Sequence, residues 1–254
     1  MRLDVASRGK HSMNTSLDVL QLQSHSDCTR CDLHSQTGIT NVGVPGEWLS
    51  SSLTPSPHVP AVVFLGMNPG QQEDQANRPF IGPSGRLLRK VYIEANDLHR
   101  IASVYLLNAV RCWTPTEAQP KKRHYRDCWS HTVSDLDEIA AIGHSKIHLM
   151  CLGSSSTEIA YRMLADMKHM SLKRAFAVQS YPSTCGRLFL YSTFHPAAIV
   201  RDKEANRIYP VTEHMQVLVQ CLLGALPQPS KPHLIKPRNP SSCQPLTALL
   251  PLTT

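Results

Sequence analysis

Four short apolar runs, Ala61–Gly66, Ser103–Asn108, Ile147–Gly153 and Leu188–Thr193, are separated by longer stretches whose apolar residues recur at helical spacing. Each run has strand length and is rich in Val, Leu, Ile or aromatic residues. Between them, Ser84 to about Ala95 places Leu87, Leu88 and Val91 on one face, and His131–Ile142 carries Val133, Leu136, Ile139 and Ala140. Ser155–Met167 and Val211–Leu223 complete the set, the last with Met215, Leu218, Val219 and Leu222 in register. Strands that alternate with helices need crossover connections, which produce a parallel sheet covered on both faces. The expected fold is therefore α/β: a three-layer α/β/α sandwich around a central, mainly parallel four-stranded sheet. Ligands of such sheets bind beyond the carboxyl ends of the strands, so the loops at Gly66, Asn108, Gly153 and His195 are where function is expected to gather.

At 254 residues the chain suits one such domain with tails better than two full domains. Residues 1–24 read as a polar lead-in with weak helical spacing at Leu17, Val19, Leu20 and Leu22, and residues 25–226 as the globular domain. From Pro227 onward proline is too dense for a regular element to persist, which predicts a disordered tail. No apolar run approaches the roughly eighteen residues of a membrane span, and no apolar signal segment opens the chain. The expectation is an intracellular, cytoplasmic monomer with no membrane partner. There disulfides are rare, so the eight cysteines point to metal ligation or simple burial. A net charge of +7 and a pI near 9.1 admit a polyanionic partner.

Cys28 and Cys31 form a C-x-x-C pair, while Cys112 and Cys128 lie far downstream on either side of a loop with Trp113, Pro115 and Pro120. The first pair is a knuckle that can present two thiolates, and the second pair must come to it through the fold. The wide second spacing excludes a simple zinc ribbon; zinc, a [4Fe-4S] cluster and ordinary buried cysteine all remain compatible with it. Cys151, Cys185, Cys221 and Cys243 read as small buried or incidental thiols.

In Gly66-Met67-Asn68-Pro69-Gly70 the Asn follows a strand end directly, so its side chain can enter the crevice while Pro69 and Gly70 turn the loop. Neither G-x-G-x-x-G nor a GK[ST] ending is present, which argues against a phosphate cradle. Phe80 follows Arg78-Pro79 on a loop, where a ring is not expected to be core. Asn108 ends the second strand with a carboxamide that offers donor and acceptor together to a planar ligand edge. His195 follows the last strand, with Pro196 ending the ladder behind it.

The segments GMNPGQQEDQANRPFIGPSGRLL, LLNAVRCWTP, LGSSSTE and STFHPAAIVR, in that order and spacing, resemble the uracil-DNA glycosylase superfamily, above all its iron-sulfur family 4 branch. The similarity spans roughly residues 25 to 224. The resemblance implies that Cys28, Cys31, Cys112 and Cys128 hold a [4Fe-4S] cluster, with zinc as the alternative. It implies further that Phe80 stacks on an extruded base, that Asn108 reads its Watson-Crick edge within a pocket walled by Gly66 and Met67, and that His195 stands beside the base carbonyl. Two departures matter. Family 4 has Glu where Met67 stands, so that carboxylate is missing, while Asn68 makes the loop GMNPG, like the single-strand-selective and mismatch-specific branches in which the Asn positions water. Ala197 replaces the Ser of the H-P-S motif.

The function this implies is a monofunctional DNA glycosylase of base excision repair that removes uracil, with other deaminated bases as alternative substrates, from single- or double-stranded DNA, with Asn68 and His195 as its catalytic residues. The run Lys121, Lys122, Arg123, His124 and Arg126 is expected on a surface loop, where Lys121, Lys122 and Arg123, with Arg201, would meet the DNA backbone. Two rival readings are a catalytically weak module that binds DNA or a replication partner on the same fold, and a zinc-stabilised hydrolase of another N-glycoside.

Overall fold

The computed structural model describes residues 22–116, 119–167, 181–182, 188–201 and 211–224. The expected lead-in up to residue 21 and the Pro-rich tail lie outside the described residues, as do Cys185 and Cys243. The central sheet is built from β2 (Ala61–Gly66), β3 (Ser103–Asn108), β4 (Ile147–Leu152) and β6 (Leu188–Thr193), all mutually parallel. Two two-residue antiparallel strands, β1 (Glu47–Trp48) and β5 (Tyr181–Pro182), extend it to six in the order β1-β3-β2-β4-β6-β5. The four central strands match the expected runs almost residue for residue. The edge strands are too short to leave a periodic signal.

Strand alternation explains how the sheet is covered. Val63, Leu65, Tyr105, Leu107, Leu149, Cys151 and Leu190 point to one face, and Val62, Phe64, Val104, Leu106, Met150, Leu152 and Tyr191 to the other. Both sets are buried, which is why each strand reads as a continuous apolar run rather than an alternating one. The first face packs against α4 (Lys122–Ala141) and α5 (Ser154–Ala165). The second packs against the segment that follows α2 (Pro83–Leu87), against α6 (Pro196–Arg201) and against α7 (Val211–Leu222). The two remaining short helices are α1 (Gln71–Ala76) and α3 (Leu98–Ile101).

Three local expectations are corrected. Helix α4 starts nine residues before His131 and takes in the basic run expected on a loop; its early inward positions are His124, Tyr125, Cys128 and Trp129, not the aliphatic residues that periodicity detects. Lys121 is the N-cap, its N–H bonded to His124 Nδ1 at 3.1 Å, and His124 is fully buried. Second, Ser84–Ala95 is not one α-helix: after α2 the chain widens into a π-helical turn over Leu88–Ile93 and tightens over Glu94–Asn96. The wide turn brings Leu88, Tyr92 and Ile93 onto the buried side, and Asn96 Nδ2 satisfies the released carbonyls of Val91 and Tyr92 at 2.9 and 3.0 Å. Third, Phe80 is only 5% exposed. Its left-handed backbone (φ 53°) folds the ring back over β2, against the expectation that a loop ring stays out of the core.

His148, on β4, is buried with Nδ1 bonded to the Tyr191 hydroxyl at 2.9 Å and Nε2 unpartnered among the described residues. Burial holds its pKa near 4, well below the ordinary imidazole value. The unfolded chain therefore binds a proton at pH 6.5 that the native state refuses until about pH 4, so this stabilisation is complete above pH 6.5 and is lost as pH falls toward 4. Denaturant titrations at pH 7 and pH 4.5 should show His148→Gln losing about 2 to 3 kcal/mol less than wild type over that interval.

Candidate active site

The carboxyl ends of β2, β3 and β6 open into one pocket of about 460 Å3, lined by Asn68, Phe80, Asn108, Trp113, Thr114, His195 and the segments 70–73 and 82–84. That volume lies within the range of small-molecule sites. Gly66 and Asn108 are register partners, and pairing continues past the strand ends: Ala109 N–H donates to Gly66 O at 3.0 Å and Val110 N–H to Met67 O at 2.9 Å. This continuation lays the CWTP segment beside the GMNPG loop. Gly66 is required by close approach, because a Cβ there would stand 2.5 Å from both Asn108 Oδ1 and Phe80 Cζ. Its bare backbone lets a ring and an amide meet over the strand end.

The loop that carries Phe80 is held by buried carboxylates. Glu73 accepts from Gly70 N–H at 3.2 Å and from Gly82 N–H at 2.7 Å, joining the two ends of the turn. Asp74 accepts from Thr40 N–H at 2.7 Å and Asn41 N–H at 3.1 Å. Glu47, fully buried on β1, pairs with Arg78 at 3.2 Å and Arg89 at 2.8 Å. Gly85 lets α2 come up beneath: a Cβ there would sit 1.8 Å from the Phe80 carbonyl oxygen.

Each polar side chain has a defined orientation. Asn68 Nδ2 donates to Pro69 O at 3.0 Å and to Thr114 Oγ1 at 3.4 Å, which leaves Oδ1 without a partner among the described residues. Asn108 is 5% exposed, and among the described residues its carboxamide makes no hydrogen bond, so donor and acceptor are both available to a ligand. His195 Nδ1 accepts from Ala197 N–H at 3.1 Å, which assigns the single proton of the neutral ring to Nε2. Although part of its surface is accessible, dense protein around the ring, with Arg201 beyond it, holds the His195 pKa near 4. Tyr92 Oη, bonded to Phe194 O at 2.8 Å, ties the His195 loop to the opposite wall.

A second cavity is lined by Cys28, Cys31, Cys112 and Cys128. Gly43 N–H points at Cys112 Sγ at 3.4 Å, Arg111 N–H at Cys128 Sγ at 3.3 Å, and His131 Nε2 stands 3.1 Å from Cys28 Sγ. Burial pushes the Cys112 and Cys128 thiols up to about 11 and about 12. Cys128 lies in α4, so one wall of the cavity is helical rather than the loop that spacing suggested. Among the described residues no three His, Cys, Asp or Glu side chains could share one metal ion, so the zinc alternative finds no support.

A model of the uracil DNA glycosylase superfamily matches residues 55–219. The chain belongs to the uracil-DNA glycosylase superfamily. It is 27% identical over 201 residues to the type-4 uracil-DNA glycosylase of Thermotoga maritima, covering 77% of this chain and 92% of that protein. It is 26% identical over 183 residues to the type-4 uracil-DNA glycosylase of Archaeoglobus fulgidus, covering 72% and 82%. A third type-4 uracil-DNA glycosylase, from Saccharolobus solfataricus, is 25% identical over 183 residues, covering 71% and 76%.

For a member of this superfamily, the site differs from expectation at several positions. Asn68, Phe80, Asn108 and His195 converge as anticipated. Met67 does not join them: its side chain packs against the core beneath the loop. Arg123 is paired with Asp32, and Arg201 Nε is bonded to the Ala197 carbonyl at 3.0 Å while its side chain faces outward. Cys151 and Cys221 are buried in β4 and α7, as simple small thiols should be. Sequence reasoning missed Trp113, Thr114 and Glu73 as pocket residues; the first two directly follow the Asn108–Cys112 motif, whose continuation past the strand end was the available signal.

Proposed function

We propose that this chain is a monofunctional glycosylase that hydrolyses the N-glycosidic bond of uracil flipped out of DNA. The observation that carries this reading is the gathering of Asn68, Phe80, Asn108 and His195 around one pocket, with the two carboxamides and the imidazole aimed or free. Extrusion of the base costs a few kcal/mol, and stacking on Phe80 would offset about 1 to 3 kcal/mol of it. Asn108 can donate to O4 of uracil and accept from N3–H. Cytosine presents the opposite pattern and would leave buried groups unpaired.

Bond cleavage sends the N1–C1′ electron pair onto the departing base. The neutral His195, with Nε2–H as donor, stabilises the charge that develops on the base carbonyl without surrendering its proton. Asn68 Oδ1 accepts a hydrogen bond from water and holds it toward C1′ as positive charge gathers there. Water oxygen bonds to C1′, and its proton ends on the released uracil. Asn is a poor base, so its contribution is orientation.

We place a [4Fe-4S] cluster on Cys28, Cys31, Cys112 and Cys128. A buried charged donor supports this: Arg111 lines the cysteine cavity, and its Nε and Nη1 have no partner among the described residues, although Nη2 pairs with Asp135. An anionic cluster would answer that charge. When bound, the cluster would cross-link the N-terminal knuckle to the segment after β3 and to α4, and need take no part in electron transfer. Lys121, Lys122 and Arg201 are assigned to the DNA backbone; Arg123 must leave Asp32 to join them. Residues 25–226 form the glycosylase domain, acting as a cytoplasmic monomer.

The excision reading is tested by incubating enzyme in excess with uracil-containing single- and double-stranded oligonucleotides, then cleaving abasic sites with alkali. Wild type should yield strand scission and Asn68→Ala should be slower by about 10²-fold or more; scission absent from every substrate would favour the binding-module reading. Because His195 must be neutral, the single-turnover rate should hold from pH 8 down to about 5 and fall only near pH 4. A midpoint near 6.5 would contradict the buried, donor-fixed ring. Aerobically purified protein should be brown, with iron and acid-labile sulfide in equal amounts, and Cys31→Ser should lose the visible absorbance. Stoichiometric zinc without iron would refute the cluster.

A further inference from the structure

Asn68 can hold the attacking water only if its carboxamide oxygen, and not its NH2 group, faces the sugar. The two ends of a carboxamide are nearly the same shape, so packing alone does not choose between them; hydrogen bonds do. Both hydrogens of Asn68 Nδ2 are committed, one to the neighbouring Pro69 carbonyl at 3.0 Å and one to Thr114 Oγ1 at 3.4 Å. The first partner is the adjacent residue and moves with the loop. The second comes from the segment that follows β3, forty-six positions away in the chain.

Thr114 is suited to that duty. It is 5% exposed, it lines the same pocket, and it sits on the segment fixed beside the GMNPG loop by the Val110 N–H to Met67 O bond. Two residues before it lies Cys112, whose sulfur receives Gly43 N–H, so the segment is anchored on its far side as well. Glu is absent at position 67, and the carboxylate of Glu73 is engaged by Gly70 N–H and Gly82 N–H, which leaves the orientation of the Asn68 amide to position the water. We propose that Thr114 is a positioning residue that locks the Asn68 carboxamide with Oδ1 toward the attacking water. The inference rests on the glycosylase reading and deepens it.

The test compares wild type, Thr114→Val, Thr114→Ser, Asn68→Ala and the Asn68→Ala/Thr114→Val double variant by single-turnover excision from a uracil oligonucleotide. Equilibrium binding to an oligonucleotide carrying 2′-fluoro-2′-deoxyuridine, which resists cleavage, reports affinity separately. Thr114→Val keeps the shape and removes the acceptor; it should slow excision about tenfold with affinity unchanged. Thr114→Ser should restore most of the rate, and Thr114→Val should add nothing once Asn68 is Ala. The inference is overturned if Thr114→Val excises at the wild-type rate, if its loss appears in affinity instead, or if the same loss recurs in the Asn68→Ala background. An inactive wild type overturns the glycosylase reading and this inference together, whereas an active wild type matched by Thr114→Val overturns this one alone.

Discussion

The parallel pairing of β2 with β3, carried two hydrogen bonds beyond the strand ends, is the constraint on which the rest of the molecule depends. In an ordinary α/β sheet the chain leaves the ladder at the last strand residue and diverges into loops. Here Gly66 and Met67 still receive bonds from Ala109 and Val110, so two loops leave side by side. One carries Asn68 and leads into the Phe80 turn; the other carries Arg111, Cys112 and Thr114. The same ladder thus sets the reactive pocket and the cysteine cavity back to back, with only a few residues between Asn108 and Cys112. A one-residue slip in this register would turn every side chain to the other face and dismantle both.

Rigidity around the pocket comes from charge buried under the loops rather than from regular structure. Three carboxylates, Glu47, Glu73 and Asp74, each tie down backbone or guanidinium groups from a separate segment. Burying them would be unfavourable if any were left unpaired, yet both oxygens of each accept from a donor in the fold. They support the left-handed turn at Phe80, a conformation a bulky residue adopts only where surrounding structure compels it. Preorganisation of this kind suits the proposed chemistry, which asks orientation rather than strong basicity of Asn68 and a neutral His195.

Much of this was legible in the sequence. The four central strands announced themselves because burial on both faces left unbroken apolar runs, and the positions of Asn68, Asn108 and His195 followed from the rule that ligands gather at carboxyl strand ends. What escaped had a physical cause in each case. The start of α4 was hidden because its inward positions are His, Tyr, Cys and Trp, which enter the core without the aliphatic spacing that periodicity detects. Phe80 was misjudged because its burial depends on a positive φ that composition does not reveal. Met67 is expected in the pocket wall as part of the Gly66–Gly70 loop, but a thioether has no reason to stay in a polar crevice and packs inward. Thr114 carries no motif of its own; its contact with Asn68 joins segments forty-six positions apart, which no local pattern announces.

Glu47 has a consequence at the margin of the sheet. It lies on β1, a two-residue edge strand, where an unpaired row of backbone donors and acceptors would invite another chain to add itself. A charge pointing inward on such a strand, held by Arg78 and Arg89, is tolerable only while those two arginines are in place. A foreign strand that displaced β1 would have to strip the carboxylate of both partners. The brace that shapes the Phe80 turn therefore also guards this edge against aggregation.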